Sequence, residues 1–517
     1  NIVVCATRCP ERLSPGLKQL VGLAVTVFAL AGLGQSVDLY VTNVQVNVDA
    51  LGQNITGDAA NEPSLCIDPI HPNRIAIGWR QFDTVTNDFR QAGWAYSTNG
   101  GFSWTFPGVL ETGIFRSDPV LASDADGVFY YLGVLITPNY HCDMFRSTDG
   151  GATWQYAGLA EGGDKEWMAI DTTSGPGRGN IYQAWSPWYN YANDINSIFT
   201  RSTDAGTTWT QPTTIPNLPY WGTLAVGPAG EVYMGGWDGV NFWVNRSTNA
   251  QSPSVATTFD VVTHVNLGGG LIYGAANLNP VGLLGQPWVA VDHSTGATRG
   301  NVYLLCSVSG AVSQTDVMFA RSTNSGVTWS SPMRINDDVP NPNAYHWFGA
   351  LSVAPNGRLD ACWNDTRNDP THIFSELYYA YSQDGGLTWS KNVPLSRPFN
   401  HTLGYPVQQK MGDYLGMVSL NAGACIAYAA TFNGEEDIWF ARVELPVKVK
   451  IALSGNTARL AWDTLPDRSY AVQMKGNLEA PWAAMTLDNL AGTGHEATVQ
   501  DTIVNGTQRF YRVVLQP

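Results

Sequence analysis

The chain has 517 residues, of which only 14% are charged, and it carries 19 Trp, 22 Tyr and 53 Gly. That composition suits many short strands joined by tight turns. The formal net charge of −15, with no basic stripe, excludes a nucleic-acid partner, whereas a Ca²⁺ ion held by surface carboxylates would fit the same balance.

Residues 1–35 differ from everything after them. Arg8, Arg12 and Lys18 precede an apolar run over 20–33, which ends in Gly-Gln-Ser. Positive region, apolar region and small-residue exit come in the order of a secretory signal, so a signal peptide is expected at 1–35 and a secreted protein, extracellular or periplasmic, after it. The run is short and interrupted by glycine for a membrane span. An uncleaved anchor is the rival reading, and the only one that gives membrane contact. Cys5 and Cys9 lie in this leader; Cys66, Cys142, Cys306, Cys362 and Cys425 are scattered without C-x-x-C spacing. No metal or redox motif follows from them, and they read as small apolar strand residues.

Next comes an alternating strand over 37–48. Paired strand signals then recur down the chain. First strands are expected at 63–67, 119–122, 167–171, 223–226, 287–291, 349–353 and 414–419, and second strands at 74–79, 128–134, 180–185, 231–236, 301–307, 358–363 and 424–429. Each unit but the last continues into a third strand and a turn of one pattern. Good copies begin at Ser97 (S-T-N-G-G-F-S-W), Ser147 (S-T-D-G-G-A-T-W), Ser202 (S-T-D-A-G-T-T-W), Ser322 (S-T-N-S-G-V-T-W) and Ser382 (S-Q-D-G-G-L-T-W), and a worn copy begins at Ser247 (S-T-N-A-Q). The Asp or Asn accepts backbone N–H groups of its own turn, and the glycine takes positive φ at little steric cost.

This turn resembles the Asp-box, or bacterial neuraminidase repeat, of sialidases and other β-propellers. The resemblance implies an all-β fold, a β-propeller over 36–445, with the box as a structural turn remote from substrate. Seven blades are favoured by the strand count and six remain possible, since familiar sialidases have six. The last unit lacks an outer strand, and the 37–48 strand is placed to supply it and close the ring. Residues 446–517 carry no box but alternate at 457–462, 470–474 and 510–514, and resemble the fibronectin-III-like modules of secreted bacterial proteins. A small β-sandwich, serving as spacer or attachment module, is expected there.

In a propeller the starts of first strands and the ends of second strands share one mouth, where ligands of closed β-folds bind. That places Glu62, Arg116 with Asp118, Asp164 with Lys165 and Glu166, Gln286, His346, and Asp413 with Tyr414 at the mouth. Past the second strands it adds Arg80 with Asp83, Trp185 with Trp188, Trp237 with Asp238, and Asp365 with Arg367. Sialidases grip the substrate carboxylate with three arginines and use a Tyr–Glu nucleophile pair and an Asp acid/base. The resemblance carries these roles to Arg80, Arg116 and Arg367, to Asp118 or Asp83, and to Tyr414 or Tyr345 near Glu166. His346, Trp185 and Trp237 would add substrate contacts. The family's arginine-isoleucine-proline signature is absent; Phe115-Arg-Ser-Asp-Pro is a distant echo. Two carboxylates among Asp118, Glu166 and Asp413 offer an ordinary glycosidase route instead.

Structural roles compete with each of these. Arg80 and Arg367 can pair with Asp83 and Asp365, Trp185 and Trp237 can be blade packing, and His346 can be a core residue. Two classes of function stand side by side: a monomeric, secreted, exo-sialidase-like glycoside hydrolase acting on glycans, and a non-catalytic propeller that binds carbohydrate or protein.

Overall fold

The computed structural model describes residues 4–7, 25–26 and 39–516, apart from 138, 192, 277, 404–409, 448, 466–467, 478–479, 486–488 and 505–507. The expected leader lies outside the described residues except for two short strands, Val4–Thr7 and Val25–Thr26. Among the described residues no helix is long and apolar enough to cross a membrane. The chain divides into two compact units, one of residues 41–420 with 424–442, the other of the remainder.

The larger unit is built mainly of four-stranded antiparallel sheets in which strands pair in sequence order, with a two-stranded hairpin of Tyr273–Ala275 and Asn279–Leu283 and an extra short strand, Phe399–Asn400, on one sheet. The first strands of successive sheets are Ala59–Ile67, Ser117–Ser123, Trp167–Ile170, Tyr220–Val226, Trp288–Val291, His346–Val353 and Gly416–Leu420. Each touches the next, and Gly416–Leu420 returns to touch Ala59–Ile67. Sheets radiating from a closed ring of first strands make a β-propeller. Because both faces of a sheet are covered by its neighbours, inner strands are largely apolar; Ile75–Phe82 is buried along its whole length, its polar Arg80 and Gln81 included. The seventh sheet is built from Gly416–Leu420, Gly423–Ala430 and Asp437–Glu444, and its outermost strand is Tyr40–Gln45 from the start of the chain. An edge that would otherwise be open is thereby paired.

The repeated turn has one geometry in its five good copies. In the second sheet the Gly151 N–H donates to Ser147 Oγ at 2.9 Å, Ser147 Oγ donates to Asp149 Oδ1 at 2.7 Å, and the Thr153 N–H donates to the same carboxylate at 3.0 Å. The glycine-to-serine bond recurs at 2.9 Å in the turns of Ser97, Ser202, Ser322 and Ser382. Burial opposes ionisation of Asp149, Asp204 and Asp384, but these bonds together hold the three carboxyls below their usual range.

Glycine is required twice over at these turns. Gly151 and Gly386 have φ of 89° and 81°, and each also lies against the preceding sheet. A Cβ on Gly151 would come within 2.8 Å of the Ala76 Cβ, and one on Gly386 would collide with the Phe319 ring. The box is therefore a seam between sheets as well as a turn. Arginines preceding it add to the seam: Arg201 donates to the Ala250 carbonyl of the next turn at 2.5 Å, and Arg246 to that of Ser325 at 3.0 Å. Cys66, Cys142, Cys306, Cys362 and Cys425 are all buried and unbridged.

The smaller unit has a sheet of Lys450–Ser454, Thr457–Asp463 and Glu496–Thr502, and a second sheet that includes Ser469–Lys475, Gln508–Gln516 and Val4–Thr7. Leu460 and Trp462 from the first meet Tyr470, Val472, Tyr511 and Val513 from the second in one core.

Candidate functional site at the propeller mouth

The first strands enter the ring through distorted backbone. Those of the first, second, fourth and sixth sheets each carry a β-bulge at this end, between Asn61 and Ser64, Ser117 and Val120, Tyr220 and Thr223, and Trp347 and Ala350. Inside the bulges Glu62, Asp118, Trp221 and Phe348 have φ of 52°, 48°, 54° and 59°, and Lys165, just ahead of the third first strand, has 57°. Side chains avoid this region, at a cost of about 1 kcal/mol or more each, and such strain gathers where geometry serves a site.

Ion pairs tie these strand starts together. Arg80 Nε lies 3.1 Å from Glu62 Oε2, and Lys410 Nζ lies 3.2 Å from Glu62 Oε1 and 2.8 Å from Asp413 Oδ2. Lys165 Nζ is 3.0 Å from the same Asp413 oxygen and 4.5 Å from the centre of the Tyr414 ring. The Glu62 contacts and the Lys165 contact have the distance of an ion pair without the angle of a hydrogen bond. Burial alone would raise the Asp413 carboxyl, but Lys165 and Lys410 outweigh it and hold it well below the usual range.

Glu166 sits differently. It is buried, and neither carboxylate oxygen meets a hydrogen-bond partner from another residue. Burial, reinforced by the negative charge of nearby Asp118, pushes this carboxyl well above its usual range. A carboxyl whose pKa is raised in this way is suited to carry a proton and donate it. Asp118 is itself buried, with its Oδ1 3.3 Å from Ser117 Oγ. Tyr414 is buried too; its hydroxyl donates to the Pro119 carbonyl at 3.1 Å, and burial pushes the phenol well up.

The three arginines lie in separate ion-pair groups. Arg80 pairs with Glu62 rather than Asp83, whose carboxylate accepts from Gln91 at 2.9 Å. Arg116 holds Glu111 and Asp143 at 2.5 and 2.8 Å and lies over the Phe145 ring. Arg367 holds Asp365 and Asp337, each at 2.7 Å, over the Tyr378 ring. His346 is fully buried beside them: its Nε2 is 3.2 Å from Asp338 Oδ1, and its Nδ1 is 2.6 Å from the Thr315 carbonyl oxygen. Burial lowers its pKa, but Asp338 and Asp365 more than reverse that and raise it. Trp185 is buried, and Trp237 packs on Phe242 at 4.6 Å. Thus Asp118, Glu166, Asp413, Tyr414 and Arg80 fall in one charged cluster, while Arg116, Arg367 and His346 are engaged by other partners, some of them from the neighbouring sheet or connection, and Trp185 and Trp237 are packed in the sheets.

Beside the cluster opens a cavity of 540 Å³, walled by Asp164, Trp188, Tyr189, Asn190, Asn193 and Trp221. A second cavity of 230 Å³ runs along the ring axis between Leu65, Leu121 and Met417, bounded by Trp167 and Trp288 in edge-to-face contact at 5.1 Å. Sequence reasoning missed Lys410, which stands in a connection with no pattern. It also passed over Tyr189, although the aromatic stretch Trp188-Tyr189-Asn190-Tyr191 just past a second strand was a legible signal. Among the described residues no three His, Cys, Asp or Glu side chains gather to hold a metal ion.

A family model for the BNR/Asp-box repeat matches residues 380–391, the turn that begins at Ser382. Comparison of the sequence with curated proteins finds no match. Among solved structures the chain is similar to the BP39L lectin from Burkholderia pseudomallei, at 12% identity over 74% of this chain and 96% of the lectin, with a TM-score of 0.47. It is also similar to a Penicillium chrysogenum alpha-L-arabinanase complexed with arabinobiose (12% identity, 78% and 98% covered, TM-score 0.40). A Hadza microbial sialidase, Hz136, gives 14% identity, 72% and 76% covered, and a TM-score of 0.38. At such identities the site has to be read from its own residues.

Proposed function

We propose that the chain is a secreted, carbohydrate-active propeller of seven blades that takes glycan at its mouth, with the C-terminal unit as a fibronectin-III-like spacer. The observation that carries this reading is the open, aromatic-walled cavity lying against a strained ring of charged strand starts. Aromatic faces cover the apolar faces of sugars, and carboxylates and amides meet their hydroxyls. Binding of glycan is the primary reading.

Glu166 favours a second reading, hydrolysis by two carboxylates. Burial and the neighbouring Asp118 hold its carboxyl well above the usual range, a pairing suited to general acid catalysis at a glycosidic oxygen. The exo-sialidase scheme has less support. It needs three guanidinium groups facing one substrate carboxylate, and here each is already matched to carboxylates of its own. It also needs an activated tyrosine, and the Tyr414 hydroxyl is committed to Pro119.

A glycan array combined with chromogenic glycosides, sialosides included, tests these readings. Binding without turnover supports the first, and turnover that is lost in Glu166→Gln supports the second. A protein that binds no glycan on the array and cleaves no glycoside overturns both.

A further inference from the structure

We infer that the mouth cleft takes an extended run of an uncharged polysaccharide rather than a single terminal or acidic sugar; this rests on the carbohydrate reading above. The aromatic rings at the cleft form an arc across neighbouring sheets. Tyr140 lies against Tyr189 with ring centres 5.1 Å apart, Trp188 against Tyr220 at 4.8 Å, and Tyr220 against Trp221 at 4.8 Å. Trp221 in turn stacks on Tyr273 at 6.1 Å with 22° between the planes. The arc therefore begins in the second sheet, between His141–Ser147 and the strand before it, and ends at the Tyr273–Ala275 hairpin that precedes the fifth. A surface of that reach exceeds one sugar ring.

Three of the rings are exposed, while Tyr220 is buried beneath Trp188 and Trp221 and supports them edge-on. Trp188, Tyr189 and Tyr273 are 48%, 66% and 58% exposed. Large aromatics gathered in the open at one mouth mark a binding surface rather than ordinary surface scatter. They are also held in place. Tyr189 and Asn193 have φ of 56° and 51°, the Asn190 amide donates to the Pro187 carbonyl at 2.8 Å, and the Asp164 N–H donates to the Tyr189 carbonyl at 2.9 Å. A preformed platform spares a ligand the entropy of ordering it.

Charge selects among sugars. The cavity wall offers one carboxylate, Asp164, and no lysine or arginine. The nearest ammonium in sequence, Lys165, is committed to Asp413. A uronic or sialic acid would bring its carboxylate against Asp164 without a cation to receive it, whereas neutral hydroxyls can donate to that same group.

Titration calorimetry with neutral xylo-, manno-, gluco- and arabino-oligosaccharides, from monosaccharide to hexasaccharide, and with oligogalacturonates and sialyl-oligosaccharides, tests this. Affinity is expected to climb with length for one neutral series and to be weaker for every acidic one. Trp188→Ala and Tyr273→Ala, both at exposed positions and checked for unchanged melting, should each lower hexasaccharide affinity by about tenfold while the monosaccharide loses far less. Equal affinity for monosaccharide and hexasaccharide, tighter binding of an acidic series, or unchanged hexasaccharide binding in both variants overturns the inference and leaves the carbohydrate reading standing. If no sugar of either charge binds, the carbohydrate reading falls and this inference falls with it.

Discussion

Arg442, in the seventh sheet, donates to the carbonyl of Gly100 in the first box turn at 2.8 Å, and its guanidinium lies 4.7 Å from the centre of the Phe102 ring. The same bond joins Arg201 to Ala250 and Arg246 to Ser325, one sheet to the next. Between the seventh and first sheets it joins residues 342 positions apart, so it closes the ring. The outer strand Tyr40–Gln45 closes the same sheet from the other side.

Arg442→Ala should therefore lower the unfolding free energy by about 2 kcal/mol, the scale of a lost hydrogen bond to a charged group. Deleting the Tyr40–Gln45 strand should cost more, because it exposes a whole sheet edge. Urea melts of both proteins check this; a deletion that melts like the intact chain would overturn the closure.

A box glycine and a plain turn glycine separate two effects that are usually mixed. Gly386 has φ of 81° and no room for a Cβ, whereas Gly434 has φ of 87° with open space around it. Gly434→Ala should cost about 1 kcal/mol, the backbone strain alone, and Gly386→Ala substantially more because the Phe319 ring must move. Asp384→Ala should cost about 1–2 kcal/mol through the lost turn bonds, with ligand binding intact. Thermal melts alongside glycan binding distinguish these outcomes.

Stability should fall as pH rises from about 5 to 8. Burial pushes the Asp58 carboxyl up to about 6 and that of Asp437 up to about 7. The two share the Asn47 amide, at 3.4 and 2.8 Å, where the closing segment meets the first and seventh sheets. Their raised values mean that the folded chain keeps protons the unfolded chain has already released. The stability they contribute is complete below about pH 4 and is lost as pH climbs through 6 and 7. His346, also raised, adds a term that is complete below about pH 6.5 and fades above it. At the acid end the depressed box aspartates act in the opposite sense, so the optimum falls near pH 5. Urea midpoints at pH 5 and pH 8 test the sign, and Asp437→Asn should flatten the slope. A midpoint higher at pH 8 would show that other groups dominate.

The sheets were legible because their signals are local. The turn from Ser147 to Trp154 closes within itself, so its hydrogen bonds can be inferred from residue types alone, and the apolar run over 75–79 announces a strand buried on both faces. The mouth was legible only in part. Strand phase brought Glu62, Asp118, Lys165 and Tyr414 to the right end, but the partner each would choose depends on the bulges and on contacts between distant segments. Arg80 could not be assigned to Glu62 rather than Asp83 without knowing the register shift at Asn61. Nothing near Lys410 in sequence foretells that its ammonium bridges Glu62 and Asp413. Arg116 and Arg367 looked like a carboxylate grip because guanidinium groups near a mouth are ambiguous; Glu111 and Asp143 answer the first, and Asp337 and Asp365 the second.

The last prediction concerns Glu166, whose buried, unpartnered carboxyl is the group most suited to hand over a proton. If it is protonated at neutral pH, Glu166→Gln replaces one neutral planar group with another of the same shape. The variant should then match the parent in stability at pH 5 and pH 7. It should gain on the parent only where rising pH forces the parent to ionise a carboxyl without partners. That comparison needs no substrate and holds whether the protein binds or cleaves. If it cleaves, the same substitution should reduce kcat by about a hundredfold or more and leave KM nearly unchanged, since the amide keeps the shape but has no proton to give. Asp118→Asn should lower kcat as well, and should also remove the repulsion that, together with burial, holds the Glu166 carboxyl up, shifting the alkaline limb of the pH profile downward. Full turnover in Glu166→Gln would remove it from the chemistry. A variant much more stable than the parent already at pH 7 would show that the carboxyl is ionised there and is no proton donor.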